Sequence, residues 1–216
     1  MLFRSRSNAL MEYSILAGRP VIEYSIEAFE RTRCVDKIIV VGRETTMDSL
    51  RPLITQFQKL RVVVPGGNRR QDSVRASLDA ISNTDFIAVH DAARPLITAK
   101  EIERVFAAAV ENGAAALAAP VGETLKIADR NQFVIGSIDR ENVFAMQTPQ
   151  IFARDLLVEA YDRVARDSLA ITDEVSAIEH AGGKTIIVRA EDHNPKITFP
   201  NDLALAELIL RTRGQS

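Results

Sequence analysis

Short runs of valine, isoleucine and alanine recur along this chain, and a longer amphipathic stretch follows most of them. The runs are VDKIIVVG (35–42), RVVV (61–64), FIAVH (86–90), AALAAPV (115–121) and KTIIVRA (184–190). Each is too short for a buried helix and too uniformly apolar for a strand with one wet face, which is the pattern of strands covered on both sides. The amphipathic stretches read as helices. RPVIEYSIEAFERTR (19–33) sets Val21, Tyr24, Ser25 and Phe29 at helical intervals, and 47–60 and 70–82 repeat that spacing. At 98–113, Thr98 stands three residues before Glu101, a capping box, and Gly113 supplies the stop. Further helices are expected at 153–167, 172–181 and 201–212. Strand–helix alternation of this kind predicts an α/β fold, doubly wound, with a mostly parallel sheet between helices. The chain's 216 residues suit one domain, 1–216.

One stretch breaks the rhythm. Residues 124–152 hold several β-like runs with no helix between them, and TLKIA and FVIGSI flank the turn-like DRNQ. This predicts an antiparallel β-arm projecting from the sheet, which serves either to clasp a partner subunit or as a local flap. Formal net charge is -2, so no general basic field exists to attract nucleic acid. The longest apolar stretch, 114–121, is too short to span a bilayer. Cys34 is the only cysteine, which excludes an intramolecular disulfide framework and suits a reducing cytoplasm.

In open parallel sheets ligands bind beyond the carboxyl ends of the strands. After RVVV comes PGGNRRQDSV (65–74), where Gly66 and Gly67 would let backbone amides approach a ligand and Ser73 would lie near the start of a helix. A plain glycine turn before a capped helix fits that spacing equally. After FIAVH comes DAARP (91–95). Asp91 stands where a carboxylate could hold Mg²⁺ against phosphates, and Arg94 follows three residues on. The alternative is a turn capped by Asp91 and paired with Arg94. His90 reads as a packing or hydrogen-bonding residue, since no second histidine stands at ligand spacing. Lys126, Arg140 and Lys196, with Thr148, Thr172 and Asp173, fall at loop positions; singly they read as surface groups, together they would suit an anionic substrate. No nucleophile has a base beside it, and neither G-x-S-x-G nor GxxxxGK[ST] occurs. What remains is chemistry done by positioning and charge neutralisation, as in phosphoryl and nucleotidyl transfer.

Seven segments then combine: LAGRPVIEY (16–24), GGNRRQDSV (66–74), VHDAARPLI (89–97), AAPVGETLK (118–126), DRENVFAMQTPQIF (139–152), ITDEVSAIE (171–179) and NPKITFPNDLALAE (194–207). In that order they resemble the 2-C-methyl-D-erythritol 4-phosphate cytidylyltransferase family, from about Ala17 onward. VHDAARP and TPQ-F resemble the broader sugar-phosphate cytidylyltransferase group, and ITDEVSAIE looks more like the methylerythritol enzymes than like those acting on ribitol 5-phosphate. The resemblance implies a nucleotidyltransferase Rossmann-like fold, a homodimer clasped by the arm, CTP as co-substrate and Mg²⁺. It implies a cytoplasmic enzyme of isoprenoid precursor synthesis, acting on small molecules. Position by position, it implies that Asp91 binds the metal and that Gly67, Asn68 and Ser73 line the cytosine and ribose. Thr124 and Arg140 would reach the methylerythritol phosphate of the other subunit. Arg94, Thr148, Thr172 and Lys196 would line the phosphate and sugar sites, Lys196 acting catalytically. The family more often has aspartate where this chain has Asn68, and isoleucine where it has Pro195.

Before LAGRP the family resembles an apolar strand, a glycine-rich loop and P-K-Q-Y. Counting back without gaps, Tyr13 meets the tyrosine, Glu12 the glutamine, Met11 the lysine and Arg4 the arginine of the loop, a second catalytic candidate. Strand and glycines then have no counterpart, and residues 1–10 are expected to be poorly ordered. This predicts either a working enzyme whose recorded start is misplaced or an inactive truncated relative.

Overall fold

The computed structural model describes residues 11–81 and 83–214; Arg4 and the expected disorder of 1–10 lie outside the described residues. A 3-10 turn at Met11–Tyr13 leads into a small antiparallel pair, β1 (Ile15–Leu16) and β2 (Arg19–Pro20), and then α1 (Val21–Arg31). The alternation expected from sequence follows. It runs β3 (Ile38–Gly42), short helices α2 (Met47–Leu50) and α3 (Leu53–Gln56), β4 (Leu60–Pro65), α4 (Arg70–Asp79), β5 (Phe86–Val89), α5 (Ala99–Asn112) and β6 (Ala114–Pro120). Next come β7 (Leu125–Ala128), β8 (Val134–Ile138), β9 (Phe144–Ala153), α6 (Arg154–Arg166), α7 (Glu174–His180), β10 (Ile186–Arg189) and α8 (Pro200–Thr212).

Adjacent residues of one strand feed opposite cores. Val40 of β3, Ala115 of β6 and Ile151 of β9 pack with Ile22, Ile26 and Phe29 of α1 and with Ile102 and Val105 of α5. Their neighbours Val41, Ala114 and Phe152 pack on the other side, with Val74 and Leu78 of α4 and with Leu157, Tyr161 and Ile178 of α6 and α7. Helices therefore cover both faces, as the unbroken apolar runs required. A third cluster joins Met11, Leu16, Val21, Leu96 and Ile197 to Ala206 and Leu210 of α8.

The strands form two main ladders. One sheet has the order β10-β6-β9-β5, with β10 parallel to β6 and β9 antiparallel to both neighbours. The other is the parallel pair β3–β4. Among the described residues no strand joins the two, and a cavity of about 800 Å³ lies between them, lined by Ile38, Val62, Ile87, Val89 and Phe106 among others.

Three expectations are corrected. The helix expected over 47–60 is broken: α2 and α3 flank Pro52, whose ring and missing N–H cannot continue a helix. Of the stretch 124–152, only β7 and β8 pair as the projecting hairpin, while Phe144–Ala153 is a strand of the central sheet, where β6 and β5 bury its second half. The capping box of α5 is half made. Thr98 Oγ1 accepts from the Glu101 amide at 3.3 Å, but the buried Glu101 carboxylate turns to the Glu191 and Asp192 amides at 3.0 and 3.3 Å. Gly113 ends α5 at φ +80°, the left-handed conformation that glycine adopts without strain.

Candidate active site

The carboxyl ends of β3, β4 and β5 converge. The Gly66 amide after β4 donates to the Gly42 carbonyl of β3 at 2.7 Å, and a turn follows β5 in which the Arg94 amide donates to the Asp91 carbonyl at 3.0 Å. His90 anchors that turn. The Arg94 carbonyl, 3.2 Å from Nε2, can only accept, so Nε2 carries the proton and Nδ1 accepts from the Thr148 hydroxyl at 3.1 Å. Thr148 Oγ1 in turn accepts from the Asp91 amide at 2.9 Å. Burial pushes the His90 pKa down to about 3, so the ring is a neutral brace, packed on Phe29 at 5.0 Å. Thr148, expected to line the substrate site, faces the protein instead and fixes Asp91.

Three cations surround the Asp91 carboxylate. Lys196 Nζ lies 2.9 Å from Oδ2, Arg94 Nε 3.6 Å from Oδ2, and Arg70 Nε 3.7 Å from Oδ1. Burial acts to raise the Asp91 pKa, but the charges of Lys196, Arg70 and Arg94 win and hold it below the ordinary carboxylate value. Burial also lowers the pKa of Arg94 against the pull of Asp91. Arg94 donates to the Asn194 carbonyl at 3.0 Å, while its Nε is buried without a hydrogen-bond partner among the described residues. The turn reading of DAARP holds, since the turn is closed by Asp91 and Arg94 and the two side chains pair, and the same pair sits in a cationic cluster. Arg70 is also paired with the Glu174 carboxylate, so two carboxylates face three cations and one positive charge is left in excess, which suits an anionic ligand. Arg70 was not among the sequence candidates. Its only signal was an Arg-Arg pair entering α4, which does not say which arginine turns inward.

The loop between β4 and α4 carries Gly67 and Asn68, and Ser73 follows in the first turn of the helix. The Gly67 amide donates to Ser73 Oγ at 3.1 Å, and a Cβ at Gly67 would lie 2.4 Å from Asp72 Cβ. Glycine is thus required here by close packing of the loop on α4. Asn68 is exposed at the loop tip. Thr172 is exposed beside α7, with its hydroxyl 3.2 Å from that of Ser176, and Asp173 caps the helix through the Ser176 amide. Thr124 and Arg140 lie exposed at the base of the arm, where Arg140 donates to the Gly122 carbonyl. Among the described residues neither pairs with the Asp91 cluster. Met11, on the position where the family resembles lysine, is 2% exposed and belongs to the third core cluster. Glu12 beside it is 2% exposed, and burial raises its pKa despite Arg43 and Lys196.

No group of three or more potential metal-ligating side chains exists among the described residues.

The family model for 2-C-methyl-D-erythritol 4-phosphate cytidylyltransferase matches residues 4–212. The chain belongs to this family. A curated cytidylyltransferase from Lachnospira eligens is 37% identical over 213 residues, 96% of this chain and 94% of that protein. One from Alkaliphilus oremlandii is 38% identical over 208 residues, 94% and 88% of the two chains. Among solved structures, the cytidylyltransferase of Thermus thermophilus superposes with a TM-score of 0.81 at 30% identity, covering 93% of this chain and 94% of that one. The 4-diphosphocytidyl-2C-methyl-D-erythritol synthase of Anaerococcus prevotii gives a TM-score of 0.86 at 26% identity, covering 96% and 92%. These cytidylyltransferases share the mixed α/β architecture described above.

Proposed function

We propose that this chain transfers a cytidylyl group from CTP to 2-C-methyl-D-erythritol 4-phosphate, releasing pyrophosphate and 4-diphosphocytidyl-2-C-methyl-D-erythritol. The observation that carries the reading is the cluster of Lys196, Arg94 and Arg70 around Asp91 at the strand ends of a cytidylyltransferase fold. The nucleophile is a phosphate oxygen of the substrate, already ionised at neutral pH, so the chain need not supply a general base. Its task is to bring two polyanions together and to stabilise the charge that builds at the α-phosphorus. Lys196, a third exposed and held by Asp91, can turn to that phosphorus as the catalytic cation. Arg94, drawn in by Asn194 and Asp91, offers a fixed charge to a second phosphate. Gly67, Asn68 and Ser73 would line the base and ribose, and Thr172 the sugar phosphate. Magnesium, when bound, would neutralise phosphate charge and polarise the α-phosphoryl group.

The active unit is a homodimer in the cytoplasm. Phe133, Val134 and Ile135 on the arm are each at least 64% exposed, a patch suited to a partner subunit, and Thr124 and Arg140 at its base would then reach the partner's acceptor. No helix among the described residues is long and apolar enough to cross a membrane. The test is pyrophosphate release by the purified protein with CTP, Mg²⁺ and either methylerythritol phosphate or ribitol 5-phosphate. Release with the first acceptor alone supports the assignment. Preference for ribitol 5-phosphate would move the acceptor class, and silence with both would mark an inactive relative.

A further inference from the structure

We propose that Arg70 is a positioning residue of this site: locked by Glu174, it holds the Oδ1 side of Asp91, so that Lys196 can leave the Oδ2 side for an incoming phosphate. The inference rests on the cytidylyl-transfer reading above and deepens it.

Arg70 is the first residue of α4, and its side chain is only 18% exposed. Two of its nitrogens donate to the two oxygens of Glu174, each at 2.6 Å, in a fork that fixes the guanidinium plane. Glu174 is fully buried and cannot swing away. Tyr161 donates to its Oε1 at 2.9 Å, and the Glu174 amide is held by Gln150 of β9 at 3.2 Å. Gln71, the next residue of α4, ties down the same approach to α7, donating to the Leu169 carbonyl at 2.8 Å and accepting from the Ile171 amide at 3.1 Å. With both Glu174 oxygens engaged by Nη1 and Nη2, Nε is left to face Asp91 Oδ1.

Lys196 and Arg70 thus treat Asp91 differently. Lys196 is 34% exposed on a flexible stem, and its ammonium is anchored by Asp91 itself. Arg70 is anchored elsewhere by a buried carboxylate. When phosphate draws Lys196 away, Arg94 and Arg70 would be the protein cations left beside the nearly buried Asp91 carboxylate. Arg70 keeps that charge compensated and its carboxylate in one orientation.

A buried Arg–Glu pair could equally be a structural tie between α4 and α7, and two variants separate the roles. Arg70→Gln alone leaves Glu174 buried without its counter-charge and should lower Tm. The double variant Arg70→Gln/Glu174→Gln is neutral at both positions, and its two amides can hydrogen-bond, so Tm should return toward the parent. With stability restored, kcat should remain down by roughly 10–100-fold, the scale of a misplaced reacting group, with KM for CTP much less affected. A crystal structure of the double variant should show the Asp91 carboxylate turned from its present orientation. A double variant that regains both Tm and parental kcat, or that keeps Asp91 in place, overturns the proposal. If the parent itself releases no pyrophosphate, the functional reading fails, and the orientation of Asp91 in the double variant still decides the role of Arg70.

Discussion

At the residue scale the site is an acid set among bases. Asp91 is compensated by Lys196, Arg94 and Arg70, and the first two of those cations would also meet phosphate. Asp91→Asn should therefore lower turnover by about 10²–10³-fold, the range for losing one electrostatic contact in a transition state, with circular dichroism confirming a folded chain. Unchanged turnover would remove Asp91 from the chemistry. Glu12 poses a different problem. Its carboxyl is buried near Asp91, and burial raises its pKa. A raised folded-state pKa means that stability is full below the ordinary carboxylate value and is lost as pH rises through the raised one. Glu12→Gln, the residue the family resembles there, should raise Tm at neutral pH, by about 2–4 °C for each ~1 kcal/mol recovered in a chain of this size. The gain should vanish in acid; an equal gain at every pH would mean that titration is not its cause.

At the element scale, the arm exposes more apolar surface than a two-stranded ribbon can keep in water. Ile127, Phe133, Val134, Ile135 and Ile138 are all exposed on β7, β8 and the turn between them. If they form the subunit contact, the arm's Arg140 works on the partner's site while Lys196 works on its own. Arg140→Ala and Lys196→Ala protomers should each be inactive. Mixed and allowed to exchange, they should regain a share of activity, because one site of each mixed dimer has both residues. A mixture that stays silent, under exchange verified by mass spectrometry, would place the arm on its own subunit's site. The arm also shows where local pattern misleads. FAMQTPQIFA looks like its neighbours in the 124–152 stretch, yet residues 148–152 are buried between β6 and β5.

At the scale of the whole molecule, two ladders share two helical layers. β6 is paired on both sides, by β10 and β9, whereas among the described residues β3–β4 forms a separate two-strand sheet beside a cavity of about 800 Å³. Opening of β3–β4 disrupts fewer packed atoms, so β4 amides should exchange with deuterium well before those of β6 and β9. Uniform protection across all strands would show that the two ladders open as one unit. Much of this was legible beforehand. Unbroken apolar runs announced strands buried on both faces, because only such strands can be apolar at every position; glycines and the Thr98 cap marked helix ends. DAARP and Lys196 were legible as candidates because they follow strand ends, where open α/β sheets bind ligands, though singly each also read as a turn or surface group. What the sequence could not give was the company each charge keeps. Arg69 and Arg70 are chemically identical in the chain. One pairs with Asp72 on the surface and the other with buried Glu174, 104 residues away, and only the packing of α4 against α7 separates them. Thr148 likewise turned from substrate to His90 and Asp91 once β9 entered the sheet. The sequence by itself determined ends such as Thr98 and Gly113 of α5, since caps and breakers act over a few neighbouring residues. Which cations face Asp91 was decided by tertiary structure alone, because charges brought together from residues 70, 94 and 196 have no local signature.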